Sequence, residues 1–168
     1  MILPIVAFGD PVLRLETDEV DEKHPGLQEL IDNMFETMYN APGVGLAAPQ
    51  IGESLRLFVV DTTDVYEEEK TDEKGIKQAF INPIIIDETG KRWDFEEGCL
   101  SIPGIREKVN RQAHIKIEYY DRDFNLKEEE FDGMNARVIQ HEYDHIEGIL
   151  FTDHLKPLKK RRLQRKLR

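Results

Sequence analysis

Residues 140–145 read Gln-His-Glu-Tyr-Asp-His, placing His141 and His145 four positions apart. On an α-helix that spacing puts both imidazoles on one face, about 5–6 Å apart at Cβ. Two neutral imidazoles so arranged can share one divalent cation. Glu142 falls on the flank of the same face, where a carboxylate can take a proton from water polarised by such an ion. Two histidines alone do not make a stable site, so the motif asks for a third ligand. The bland alternative is a pair of core histidines bonded to backbone carbonyls, with Glu142 at the surface.

The single cysteine, Cys99, is the only thiolate the chain can offer, and it sits in Glu-Glu-Gly-Cys-Leu-Ser-Ile-Pro-Gly. Read alone, it also fits an ordinary buried thiol. His24, His114 and His154 are weaker choices: one precedes a helix, one starts an alternating strand, and one borders a basic tail. A Cys-His-His set leaves the fourth position of a tetrahedral ion open to water, which is the pattern of catalytic rather than structural sites.

The elements that must position these residues follow from periodicity. Met134, Val138, His141 and His145 form one stripe of a helix over about 133–147, ended by Gly148, and Ile139, Tyr143 and Ile146 form a second apolar face. Leu27, Leu30, Ile31, Met34 and Met38 predict another amphipathic helix over about 25–39, stopped by Asn40-Ala41-Pro42-Gly43. Residues 55–61 and 79–86 read as strands, with Pro83 at an edge or bulge. Residues 114–121 alternate as a half-buried strand does, and 126–131 can pair with them across Asp123-Phe124-Asn125. The charged stretch 64–78 reads as an exposed loop. Together these predict an α+β fold in which antiparallel β-sheets pack around a central metal-binding helix.

Bulk properties agree. At 168 residues the chain is most simply one catalytic domain over 1–155 with a basic tail over 156–168, and 39% hydrophobic with 34% charged residues fits a water-soluble globule. No apolar run approaches eighteen residues, so no membrane association is expected. Pro4 and Gly9 interrupt an opening that lacks a basic stretch, which reads as a mature N-terminus. One cysteine excludes an internal disulfide and suits a reducing cytoplasm. The net charge of −11 is the balance of a tail carrying eight Lys or Arg and no acid against a body at −19. Leu155, Leu158, Leu163 and Leu167 allow that tail a short helix after Pro157.

Three separated stretches, Gly-Val-Gly-Leu-Ala-Ala-Pro-Gln (43–50), Glu-Gly-Cys-Leu-Ser (97–101) and Gln-His-Glu-Tyr-Asp-His (140–145), resemble the bacterial-type peptide deformylase family in the family's order, as does the opening Leu-Pro-Ile-Val-Ala-Phe-Gly-Asp-Pro-Val-Leu-Arg. The resemblance covers the chain to about Pro157. It implies a hydrolase that removes the N-formyl group from N-formylmethionyl nascent proteins, releasing formate. It implies one divalent metal per chain on Cys99, His141 and His145, Fe²⁺ in the cell, with Zn²⁺, Ni²⁺ or Co²⁺ as substitutes. Glu142 is then the general base, and the Gln50 amide and Leu100 N–H meet the formyl oxygen. Val44, Gly45 and Gly98 match positions that pair with an extended peptide. Val44, Phe95, Leu100, Met134 and Val138 would line a methionine pocket, and Arg106 would meet the peptide farther along. Glu97 is expected near Arg111, Asp144 to orient a ligand ring, and Arg137 to lean from the pocket toward Asp144. The tail resembles a ribosome-docking handle, and no DNA partner is implied. Another metallo-amidase or metallopeptidase of the H-E-x-x-H type remains the alternative, with Glu147, Asp153 or His154 as the downstream ligand it would need. A closed structural metal site would need a second cysteine.

Overall fold

The computed structural model describes residues 1–69 and 74–166. Its centre is one antiparallel sheet of five strands in chain order, β1 (Gly45–Ala47), β2 (Leu57–Asp61), β3 (Lys77–Cys99), β4 (Ile102–Tyr120) and β5 (Leu126–Asp132). Four helices accompany it: α1 (Leu27–Asn40), α2 (Thr63–Glu69), α3 (Gly133–Ile146) and α4 (Pro157–Lys166). None of the described helices is long and apolar enough to cross a membrane.

The apolar run of β2 explains the layering. Leu57 and Val59 pack with Ile31, Met34 and Met38 of α1, while Phe58 and Val60 pack with Ala136, Val138 and Ile139 of α3. Successive side chains of a strand point to opposite faces, so a strand covered on both sides must be apolar throughout. The sheet is thus held between α1 and α3. Both faces of α3 predicted from periodicity are used: Ile139 and Ile146 go into this core, and Met134, Val138 and His141 toward a cleft.

Two stretches differ from expectation. Residues 64–78 do not form one exposed loop: Thr63–Glu69 is α2, β3 starts at Lys77, and residues 70–73 lie outside those described. The Asp61 carboxylate accepts the Thr63 N–H at 3.0 Å and Tyr66 is buried, accepting the Asn135 N–H on its hydroxyl at 3.1 Å. An acidic composition had hidden a capped helix with one anchoring aromatic. Residues 87–99 and 102–113, which show no sustained apolar alternation, also belong to strands, forming the outer arms of the β3–β4 hairpin. Much of that arm is exposed on both sides, so its ladder of backbone bonds, not burial, keeps it extended. Pro83 falls within a register shift between Ile81 and Ile84, as expected of a bulge, beside Asn82 at φ +50°. The Asn82 side chain donates to Val20 O and accepts from Val20 N, tying the N-terminal segment to this bend.

Phe58 is fully buried and stacks on Phe80 with centroids 4.8 Å apart. Phe58→Ala lowers unfolding free energy by about 3–5 kcal/mol in urea titrations. Ile84→Ala on the same sheet, at a side chain 56% exposed, changes it by no more than about 0.5 kcal/mol.

Candidate functional site

The hairpin brings the cysteine to the helix. Cys99 pairs with Ile102 at the hairpin's end, and Leu100 and Ser101 form the turn between them. Cys99 Sγ lies 3.4 Å from His145 Nε2. Ligand atoms of Cys99, His141 and His145 all lie within 4.8 Å of one another, the one such cluster among the described residues. A single ion bonded at about 2.0–2.3 Å to each donor would set them roughly 3–4.5 Å apart. The spacing therefore fits one ion with little adjustment. His24 and His114 lie outside this cluster.

The titration behaviour of the rings points the same way. Burial works against a charge on His141, yet hydrogen bonding with Cys99 and Glu97 outweighs it and pushes the ring up to about 10. His145 moves oppositely, held well below the usual range by burial and by the charge on His141. Two buried rings beside a thiol are a donor set that a divalent cation satisfies. One sulfur and two imidazole nitrogens suit Fe²⁺, Co²⁺, Ni²⁺ or Zn²⁺ rather than Mg²⁺ or Ca²⁺.

Glu97 organises the ring of His141. One carboxylate oxygen accepts from His141 Nδ1 at 2.9 Å and from Arg111 Nη2 at 2.9 Å, and the other accepts from Arg111 Nε at 2.7 Å and from Arg137 Nη1. Burial alone would raise its pKa, but its hydrogen bonds with His141 and Arg111 hold the carboxyl well below the usual range. An ionised Glu97 holds the Nδ1 edge of His141 and so turns the other ring nitrogen toward the cluster.

Two expectations are corrected here. Arg137 does not reach Asp144. It is buried, bonds Glu97 and the carbonyls of Val109 and Trp93, and lies 4.3 Å above the Trp93 ring centroid. Asp144 is already taken by Arg111 Nη1 at 2.9 Å and by His154 Nε2 at 2.7 Å, so it bonds neither cluster histidine directly. For His141 that direct bond comes from Glu97. The sequence did carry a signal: Trp93, Phe95 and Glu97 alternate along β3 and share one face, which is where the Arg137 guanidinium lies.

Glu142 is buried, with Oε1 finding no partner among the described groups, and burial pushes its carboxyl up to about 7. A Cβ on Gly45 would meet Glu142 Oε2 at 2.5 Å, so only glycine lets this carboxylate approach β1. Gln50, buried in the turn Ala48–Ile51, accepts the Ala47 N–H on Oε1 at 3.0 Å. That bond aims its amide nitrogen at Cys99 Sγ and Ser101 Oγ, 3.4 Å and 3.3 Å away. Backbone bonds from Val6 N to Gln50 O and from Phe8 N to Ser101 O clamp the two turns side by side.

A cleft of about 730 Å³ opens over these groups. Val44, Gly45, Gln50, Phe95, Gly98, Leu100, Arg106, Met134 and Val138 all line it, with Cys99, His141 and Glu142. Val65 and Arg137 line it too, and neither was foreseen there. Arg106 sits opposite Gly98 in the hairpin ladder. The cleft runs past Gly45 of β1, the end strand of the sheet among the described residues.

The polypeptide deformylase family model matches residues 2–161. A peptide deformylase of Flavobacterium johnsoniae is 56% identical over 174 residues, covering 100% of this chain and 89% of that protein. That of Christiangramia forsetii is 54% identical, covering 99% and 88%. The crystal structure of the Thermotoga maritima peptide deformylase superposes with a TM-score of 0.81 at 39% identity, covering 94% of this chain and 99% of the other. That from Ehrlichia chaffeensis reaches a TM-score of 0.90 at 34% identity, covering 99% and 95%.

Removing the Glu97 carboxylate leaves the buried Arg137 guanidinium without its ion-pair partner and Arg111 with Asp144 alone. Glu97→Ala is expected to lower unfolding free energy by about 3–5 kcal/mol, the usual cost of breaking a buried ion pair on one side. Urea titration followed by far-UV circular dichroism measures it. A loss below about 1 kcal/mol would show that Arg111 and Arg137 do not depend on this carboxylate.

Proposed function

The chain belongs to the peptide deformylase family, and from that premise we propose how its own residues perform the family's reaction. The enzyme is a metal-dependent hydrolase that removes the N-formyl group from nascent polypeptides. The metallopeptidase alternative is set aside by this membership. The observation that carries the site reading is the convergence of Cys99, His141 and His145 beside the buried Glu142.

Cys99, His141 and His145 hold one divalent ion, and we take Fe²⁺ as the cellular metal, with Zn²⁺, Ni²⁺ or Co²⁺ able to replace it. When bound, the ion polarises the formyl oxygen and makes water acidic enough to ionise near neutrality. Glu142, its carboxyl raised to about 7 by burial, takes a proton from the attacking water and later delivers it to the departing amine. The water oxygen bonds to the formyl carbon, the C–N bond breaks, and formate leaves. Negative charge on the formyl oxygen is met by the Gln50 amide, whose orientation Ala47 supports, and by the Leu100 N–H. One such donor is typically worth about 3 kcal/mol in the transition state.

The substrate is an extended chain added to the outer edge of β1 at Val44 and Gly45, with Gly98 on its other side. Phe95, Leu100, Met134 and Val138 take the methionine side chain, and Arg106 contacts the peptide beyond it. Phe95 and Val44 are 37% and 38% exposed, apolar surface that a substrate would cover. Residues 1–155 are the catalytic domain and 156–168 its basic extension, working in the cytoplasm. The extension is docked rather than free: Leu163 is buried, Lys159 pairs with Glu107 at 2.6 Å and Lys160 with Asp153 at 3.2 Å. Arg161, Arg162, Arg165 and Lys166 remain exposed and form the surface for ribosomal phosphates. Leu167 of this tail lies outside the described residues.

Glu142→Ala, purified without oxygen, is expected to keep one iron per chain by elemental analysis yet lose about 10²–10⁴ in kcat on a formyl-methionyl peptide. Near-normal turnover would remove Glu142 from the mechanism. For the tail, replacing Arg161, Arg162 and Arg165 by Glu leaves turnover of a short formyl-methionyl peptide unchanged. The same variant reduces co-sedimentation with ribosomes, and the wild-type interaction weakens steeply with salt. Equal co-sedimentation of both proteins at low and moderate salt would rule out the handle.

A further inference from the structure

The site does not end at Glu97. Asp144 Oδ2 accepts from Arg111 Nη1 at 2.9 Å and from His154 Nε2 at 2.7 Å. Arg111 spends its other donors, Nε and Nη2, on the two oxygens of Glu97. Glu97 in turn holds His141 Nδ1. An unbroken chain of charge-assisted hydrogen bonds therefore runs from His154, whose side chain is 34% exposed, to a ring of the Cys99–His141–His145 cluster.

The turn that carries His154 is fixed rather than frayed. It spans Phe151–His154, and its Phe151 ring stacks on His141 with an interplanar angle of 25°. Asp153 accepts from Arg14 and from Leu150 N, and pairs with Lys160. One short turn thus contacts His141 directly through the Phe151 ring and is joined to it indirectly through the His154 relay. Asp144 is the one relay carboxylate near water, 17% exposed on its side chain. Without a second donor on Oδ2 it is free to swing outward, and Arg111 then loses the anchor opposite Glu97.

We propose that His154 is a positioning residue for the metal site, acting through Asp144, Arg111 and Glu97 to hold the ring of His141 in its ligating orientation. It touches neither substrate nor ion. Its contribution is geometric: a donor at Nε2 keeps Asp144 turned inward, which keeps the Arg111 guanidinium in register with both oxygens of Glu97. Groups that orient ligands in this way typically change metal affinity by about 10–100-fold when lost. Three residues stand between His154 and the ring, so the low end of that range applies. The proposal rests on Cys99, His141 and His145 being the ligands.

The test is metal binding, measured independently of turnover. Wild type, His154→Leu and His154→Gln are loaded with Co²⁺ in competition with a chromophoric chelator, and the visible spectrum of each loaded form is recorded. His154→Leu, which has no donor, is expected to bind Co²⁺ on the order of tenfold more weakly and to show altered visible bands. His154→Gln, which keeps an N–H donor, is expected to recover affinity and spectrum toward wild type. Wild-type affinity and spectrum in His154→Leu would overturn the proposal. So would equal impairment of the two variants, which would assign the effect to packing of the turn. A wild-type chain that binds no stoichiometric Co²⁺ would instead overturn the ligand assignment itself, a result distinct from either.

Discussion

Glu97 is one carboxylate between two buried guanidinium groups and an imidazole, and the active site is arranged around it. Arg111 and Arg137 are each at most 5% exposed, and neither could lie there without a counter-charge at hydrogen-bond distance. The carboxylate stays ionised because its bonds with His141 and Arg111 outweigh its burial. Its bond to Nδ1 in turn sets the orientation of the His141 ring. A residue that seems to serve charge balance therefore decides which nitrogen faces Cys99.

That constraint explains the placement of the hairpin. Glu97 and Cys99 are two residues apart on β3, so fixing Glu97 against α3 also brings the thiol to the histidines. Backbone bonds do the rest. Val6 and Phe8 hold the Gln50 and Ser101 turns, and Gly45 leaves room for Glu142 against β1. The Gln50 amide, the Glu142 carboxylate and the Cys99, His141 and His145 side chains thus gather in one partly desolvated place. Desolvation is costly for every one of them. The two cores on either face of the sheet supply the stability that offsets it, and the cleft stays open where apolar side chains await a substrate.

Helix α3 links these two requirements. One stripe carries His141, Glu142 and His145 beside Cys99, and its other face is core at Ile139 and Ile146. A helix with one turn wholly exposed could not hold two rings to a fraction of an ångström, because its side chains would sample several rotamers. Burial against β1, β2, β4 and β5 removes that freedom.

Local pattern alone determined a good deal. The four-residue spacing of His141 and His145, the helical stripe carrying them, the α1 amphipathic face and the alternating strand at 114–121 are periodicities of a few residues, and chain geometry turns them directly into faces. The three motifs in order were also enough to identify the family resemblance. What only the tertiary structure decided are the partners. Arg137 was assigned to Asp144 because both lie on one helix, whereas Arg111 arrives from β4 and occupies that carboxylate first. Helix α2 and the outer arms of the hairpin were hidden because their order comes from a capping aspartate, one buried tyrosine and a strand ladder, not from alternation. Charge pairing and strand register join residues tens of positions apart, and periodicity, being local, carries no information about either.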